Sequence, residues 1–286
     1  MSMLSEDKKD PDDPEELARS WDWHIRRKLA WSSEASENIL EKLSRDRSQW
    51  VREAVAGNAS TPAAVLARLA EDSSGFVRAA VALNGRASAG ILDLLAGDEM
   101  TDYDSTLQKN RYLVKEAAAK SPHIDPSTLD FLARDSDEHV RAAAASNPLL
   151  PPESMSRLVK DVFWEVRNNL ARNPSTPQDL LAYLSADRIM DVRATAAGNP
   201  RTPAEALAAL ASDKSWEVRE ALAKNPLLDP KTLEDLAGHW SWMVRAAVAE
   251  NPHTPPETLR RLAEDPDQSV QKAARLCLKM KMIKYG

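Results

Sequence analysis

Small and branched apolar residues return along this chain in a fixed order, Val-Arg-x-Ala-hydrophobic-Ala-x-Asn-Pro, at intervals of 26 residues. The pattern starts at Val51, Val77, Val114, Val140, Val166, Val192, Val218, Val244 and Val270, and Ile25 lies one period upstream. Only the step from Val77 to Val114 is longer, by 11 residues. In the unit that opens at Val244, the spacing of Val244, Ala247 and Val248 predicts one buried helix face, with Ala246 and Ala249 small enough for a neighbouring helix to approach. Asn251-Pro252 predicts the stop: proline cannot continue a helix, and asparagine is expected to take the left-handed conformation that closes one. Thr254-Pro255 predicts an N-cap and a proline in the first turn of a short second helix, whose stripe is Leu259 and Leu262. Asp265 then opens the connection, near the positive end of the next first helix.

A unit this small cannot bury its own apolar face, so a strict period of this length predicts an all-α solenoid of about ten stacked helical pairs. At roughly 8–10 Å per helix, ten units would make a rod on the order of 90 Å long. The columns support this. Leucine fills one second-helix position without a gap, at Leu43, Leu69, Leu95, Leu132, Leu158, Leu184, Leu210, Leu236 and Leu262, and is read as core. The stop position holds Asn58, Asn84, Asn147, Asn173, Asn199, Asn225 and Asn251, with Ser32 and Ser121 as exceptions, and helix termination accounts for every asparagine. Arginine follows the first hydrophobe at Arg26, Arg52, Arg78, Arg141, Arg167, Arg193, Arg219 and Arg245, with Lys115 and Gln271 instead in two units. Aspartate ends the second helix at Asp46, Asp72, Asp98, Asp135, Asp161, Asp187, Asp213 and Asp265, with His239 the exception. Opposite charges at fixed repeat positions predict a structural Arg-Asp ladder that uses the planar arginine fork.

The units VRAAVAENPHTPPETLRRLAEDPD and VRATAAGNPRTPAEALAALASDKS resemble those of the leucine-rich repeat variant family, and the similarity runs over about residues 25–280. That resemblance implies a right-handed superhelix whose units pair an α-helix with a second, often 3₁₀, helix. Some members carry an N-terminal cysteine cluster with a four-iron four-sulfur centre. Here the one cysteine is Cys277, so no such cofactor is carried over. The segment Asp161-Val162-Phe163-Trp164-Glu165-Val166-Arg167 also resembles HEAT repeats, a neighbouring class of helical-pair solenoid.

Hydrophobic residues make up 43% of the chain and aromatic residues only 5%, so the core is expected to be built from Ala, Leu and Val. The absence of a signal-like start, or of an apolar run of about 20 residues, points to a cytoplasmic protein with no membrane insertion. The net charge of −6 is uneven: residues 1–22 carry eight acids and three bases, whereas residues 271–286 carry five bases and no acid. Residues 1–14 read as an acidic disordered leader, residues 15–270 as the repeat array, and residues 271–286 as a basic capping helix and tail. The acidic middle argues against nucleic acid as a partner.

No phosphate loop, metal-ligand spacing or nucleophile motif is present, so no catalytic residue, cofactor or metal is assigned. Function is sought where the copies differ. Two residues before each Val-Arg lies a column with Trp23, Tyr112, Trp164, Met190, Trp216 and Trp242, and Trp50 and Phe76 fall one place later. These aromatics either cover the junction with the preceding unit or form a contact ridge, since tryptophan and tyrosine are common binding hot spots. The inserted segment within 99–113, which includes Tyr103, is polar and without a helical stripe, and reads as a protruding loop. Trp23, Tyr103, Tyr112, Trp164, Trp216 and Trp242 are therefore the candidate contacts of a non-enzymatic scaffold whose partner is another protein. The alternative is a HEAT-like nucleic-acid-binding protein or DNA glycosylase-type enzyme, in which Trp164, Asp187 and Arg193 would carry the site.

Overall fold

The computed structural model describes residues 13–104 and 109–285, and at Tyr103, Asp104, Lys109, Lys284 and Tyr285 it describes only the backbone. The acidic leader up to residue 12 lies outside the described residues. The chain divides into two units, Met1–Leu150 and Pro151–Gly286.

In the first unit the helices are α1 (Pro14–Leu17), α2 (Trp23–Trp31), α3 (Glu37–Leu43), α4 (Gln49–Gly57), α5 (Ala63–Leu69), α6 (Gly75–Leu83), α7 (Ala89–Ala96), α8 (Leu113–Lys120), α9 (Pro126–Leu132) and α10 (Glu138–Ser146). In the second they are α11 (Pro152–Leu158), α12 (Trp164–Arg172), α13 (Gln178–Leu184), α14 (Met190–Gly198), α15 (Ala204–Leu210), α16 (Trp216–Ala223), α17 (Pro230–Leu236), α18 (Trp242–Glu250), α19 (Pro256–Leu262) and α20 (Gln268–Tyr285). Each unit is an α-solenoid stack. Each first helix packs on the first helix of the next repeat, α2 on α4 on α6 on α8 on α10, and α12 on α14 on α16 on α18 on α20. The second helices are α-helical, and most have seven residues. Such short helices gain little from propensity and hold through packing. The leucine column supplies that packing, since every member from Leu43 to Leu262 is buried. In the basic C-terminal segment, α20 begins at Gln268 within the last repeat and runs on through it.

The two ends of the pair are made differently from the expectation. Asn251 closes α18 at φ −70°, ψ 127°, which is extended and not left-handed. Asn58, Asn84, Asn147, Asn173 and Asn199 close their helices in the same way. A following proline biases its predecessor to that region, but Asn58 and Asn84 adopt it ahead of Ala59 and Gly85, so the asparagine side chain has a further task, described below. Thr254 is likewise no N-cap. Its hydroxyl donates to the Val248 carbonyl, six residues back, and α19 starts after Pro255. Thr61, Thr176 and Thr202 repeat this bond, at 2.6, 2.6 and 2.5 Å, and each is buried, so the hydroxyl serves the helix before it. Side-chain caps occur at some N-cap aspartates and serines, as at Ser36, Asp125 and Asp229.

The inserted segment is not a plain loop. It forms an antiparallel pair, β1 (Asp102–Asp104) with β2 (Lys109–Arg111), in the register Asp102↔Arg111, Tyr103↔Asn110 and Asp104↔Lys109. The hairpin is tied to the stack at its base: Arg111 Nε donates to Glu116 at 2.9 Å, and the Asp102 carboxylate lies so close to Gly75 that a Cβ there would collide with it.

Candidate functional site

The ladder of charges fixes the geometry of one face. Arg26, Arg52, Arg78, Arg167, Arg193 and Arg245 stand on first helices, and the Nη1 of each donates to a carbonyl six residues back, in the connection that precedes the helix. The Nε and Nη2 of each meet the two oxygens of the aspartate twenty residues on. Arg167 reaches Asp187 at 2.6 and 3.0 Å, Arg193 reaches Asp213 at 2.6 and 3.1 Å, and Arg245 reaches Asp265 at 2.7 and 2.9 Å. In the first unit Arg26, Arg52 and Arg78 do the same with Asp46, Asp72 and Asp98. Lys115 substitutes a single ammonium, shared between Glu99 and Asp135. Arg141 donates through Nη1 to the carbonyls of Asp135 and Ser136. The aspartates also accept a backbone N–H two residues on, as Asp213 does from Ser215, so each rung pins the turn that launches the next helix.

The carboxyls of Asp187, Asp213 and Asp265 are held in the anionic form. Burial pushes Asp187 and Asp213 up, but hydrogen bonds from Arg167 and Arg193, and from the backbone, outweigh it and hold both below the usual range. At Asp265 the hydrogen bonds from Arg245 are the largest influence and act in the same direction.

A second ladder runs through the interior. Asn225 Nδ2 donates to Ala197 O at 2.6 Å and Asn199 O at 2.9 Å, and Asn251 repeats this on Ala223 and Asn225. Asn199 does so on Ala171 and Asn173, and Asn147 on Ala119 and Ser121. Asn173 accepts from Ser175 N through its Oδ1, the arrangement found at the other asparagines. The carbonyls at a helix C-terminus lack intrahelical partners. Asn147, Asn199, Asn225 and Asn251 thus supply donors to the helix end of the preceding repeat, while their own oxygens hold the next turn.

The aromatic column lies three residues before the arginines and therefore on the same helix face. Trp164 is 37% exposed and Trp242 is 43% exposed, whereas Trp216 and Met190 are half-buried against the core of the second unit. In the first unit Trp23 is half-buried and stacks on His24 with ring centroids 3.8 Å apart. Trp50 and Phe76 are exposed and meet at 5.9 Å, and the half-buried Tyr112 ring lies 4.8 Å from the Lys115 ammonium. Tyr103 is on β1, and its side chain lies outside the described residues. Trp240, two positions before the column, is 76% exposed and tilts against His239 at 5.3 Å.

One rung departs from the rest. The residue twenty beyond Arg219 is His239, and the buried Arg219 Nε has no hydrogen-bond partner among the described residues. The column exception at His239 is visible in the sequence, and pairing it with the arginine twenty residues earlier is the signal that would have singled out Arg219. Among the described residues no three His, Cys, Asp or Glu side chains converge to hold a metal ion, and no helix is long and apolar enough to cross a membrane.

The sequence profile of the leucine rich repeat variant family matches residues 190–215 and 242–267. Among solved structures, the chain is similar to a leucine-rich repeat variant with a novel repetitive structural motif, at 23% identity over 93% of this chain and 87% of that one, with a TM-score of 0.45. It is also similar to an engineered protein, at 18% identity over 96% of this chain and 100% of that one, with a TM-score of 0.36. A third is human deoxyhypusine hydroxylase in complex with glycerol, at 16% identity over 94% of this chain and 97% of that one, with a TM-score of 0.33. No curated protein matches the chain.

Proposed function

We propose that this chain, two of whose repeats match the leucine rich repeat variant profile, is a non-enzymatic scaffold that binds another protein through the ladder face of its second unit. The observation that carries this reading is the exposure of Trp164 and Trp242 beside arginines that are themselves held rigid by aspartate. Large aromatics on a fixed backbone give contact area at low entropic cost, which is what binding hot spots need. A core role alone would favour burying them, as burial is the usual fate of so few aromatics.

The enzyme or nucleic-acid alternative is less well supported. Asp187 is engaged by Arg167, and Arg193 is engaged by Asp213, so the acid and the base it would use already have structural partners. The test is affinity capture with the wild type and the Trp164→Ala/Trp242→Ala double variant, alongside thermal melting. Loss of a specific partner with an unchanged melt supports the scaffold reading. Collapse of the melt would assign the tryptophans to packing, and salt-sensitive retardation of a DNA duplex by the wild type would revive the alternative.

A further inference from the structure

Resting on the scaffold reading, we propose that Arg219 is an open rung of the ladder that receives a carboxylate from the protein partner, with His239, Trp216 and Trp240 forming the rest of the site. In the neighbouring rungs the space before the guanidinium fork is filled by an aspartate that takes both Nε and Nη2, at Asp213 for Arg193 and at Asp265 for Arg245. At Arg219 the residue in the aspartate column is His239, and the buried Arg219 Nε has no hydrogen-bond partner among the described residues. A guanidinium nitrogen that is buried with no partner is costly, and such a group in a native fold calls for an occupant.

The surroundings narrow the occupant to a carboxylate. His239 Nδ1 accepts from Ser241 N–H at 3.1 Å, so in the neutral ring the proton sits on Nε2, which makes it a donor. Burial, and then the charges of Arg219 and Arg245, lower the His239 pKa and keep the ring neutral. The nearby acids are already committed: Asp213 to Arg193, Glu217 to Ser215 Oγ, and Glu220 to Lys224. Arg245 is likewise spoken for by Asp265, which leaves the Arg219 fork to meet an anion of the shape that the neighbouring rungs hold. Trp216, three residues before Arg219 on α16, and the exposed Trp240 beside His239 give the site an apolar rim. Such a rim excludes water and strengthens the ion pair within it.

The carboxylate can come from an Asp or Glu side chain or from a chain terminus, and peptide probes separate the two. Three fluorescein-labelled leucine-rich peptides are titrated: one with an internal glutamate and an amidated end, its glutamine counterpart with an amidated end, and the glutamine peptide with a free C-terminus. The wild type is expected to bind one or both carboxylate peptides at least tenfold more tightly than the glutamine amide. Arg219→Gln is expected to lose that preference. The decisive variant is His239→Asp, which completes the rung from within: it should raise the melting temperature and abolish the preference together. A preference that survives in His239→Asp, or no binding of any peptide at millimolar concentration, overturns the site. So does competition by inorganic phosphate that exceeds competition by acetate. If the natural partner is lost from the Trp164→Ala/Trp242→Ala variant but retained by His239→Asp, the carboxylate site alone fails and the scaffold reading stands.

Discussion

Arg193 and Asp213 are joined by two near-parallel hydrogen bonds of 2.6 and 3.1 Å, although twenty residues of chain separate them. Both side chains are about 9% exposed, so this is a buried pair and not a surface contact. A buried pair gains little over a well-packed apolar pair, but removing one partner strands the other. Arg193→Ala and Asp213→Ala should each cost about 3–5 kcal/mol, and the double variant should cost clearly less than their sum. Urea unfolding of the four proteins measures this. Additive losses would mean that the two residues do not act as a pair.

The asparagine ladder makes a complementary prediction. Asn225→Ala removes two donors from the buried carbonyls of Ala197 and Asn199 and should cost about 1–3 kcal/mol. Ser121 occupies the same column, is fully buried, and its hydroxyl has no partner among the described residues. Ser121→Asn should therefore raise the melting temperature by building the rung that serine is too short to make. A fall in melting temperature would show that the space before Ser121 is closed.

Stability should fall in two steps on acidification. The folded His239 pKa is lowered, so the fold favours the neutral ring. That contribution is whole above the unfolded value of about 6.5 and is lost as pH falls through the folded value. The ladder carboxyls Asp187, Asp213 and Asp265 are also lowered in the fold. Their contribution is whole above an unfolded pKa of about 4 and is lost as pH falls through their folded values. Melting curves followed by circular dichroism from pH 8 to pH 3 should show both steps in the wild type, and only the lower one in His239→Gln.

Gly75 tests the hairpin. In a helix, Gly→Ala normally gains up to about 1 kcal/mol, but here the added methyl would meet the Asp102 carboxylate. Burial raises the pKa of that carboxyl, and its Oδ2 has no hydrogen-bond partner among the described residues, so its hold on the stack is weak. Gly75→Ala should release the pair β1 and β2 and leave α6 intact. Hydrogen exchange should quicken at Asp102 and Arg111 and stay unchanged at Val77 and Val81.

The 26-residue period determined the helical pairs, because a helix face built from Val244, Ala247 and Val248 and a stripe of Leu259 and Leu262 have only one way to leave water when the unit is this short. The identity of the charge columns was legible for the same reason: residues at fixed repeat positions recur at fixed places in space. What each side chain touches was not. The asparagines were legible as stops but not as donors to the previous repeat, since the bond from Asn225 to Ala197 spans 28 residues and exists only once two helix ends lie side by side. The hairpin was missed because its pairing rests on backbone bonds, with no apolar alternation to reveal it. Above all, the sequence places a histidine where an aspartate recurs, but only the packed face leaves the Arg219 Nε buried and without a hydrogen-bond partner among the described residues, because a side chain's partners are decided by its neighbours in space.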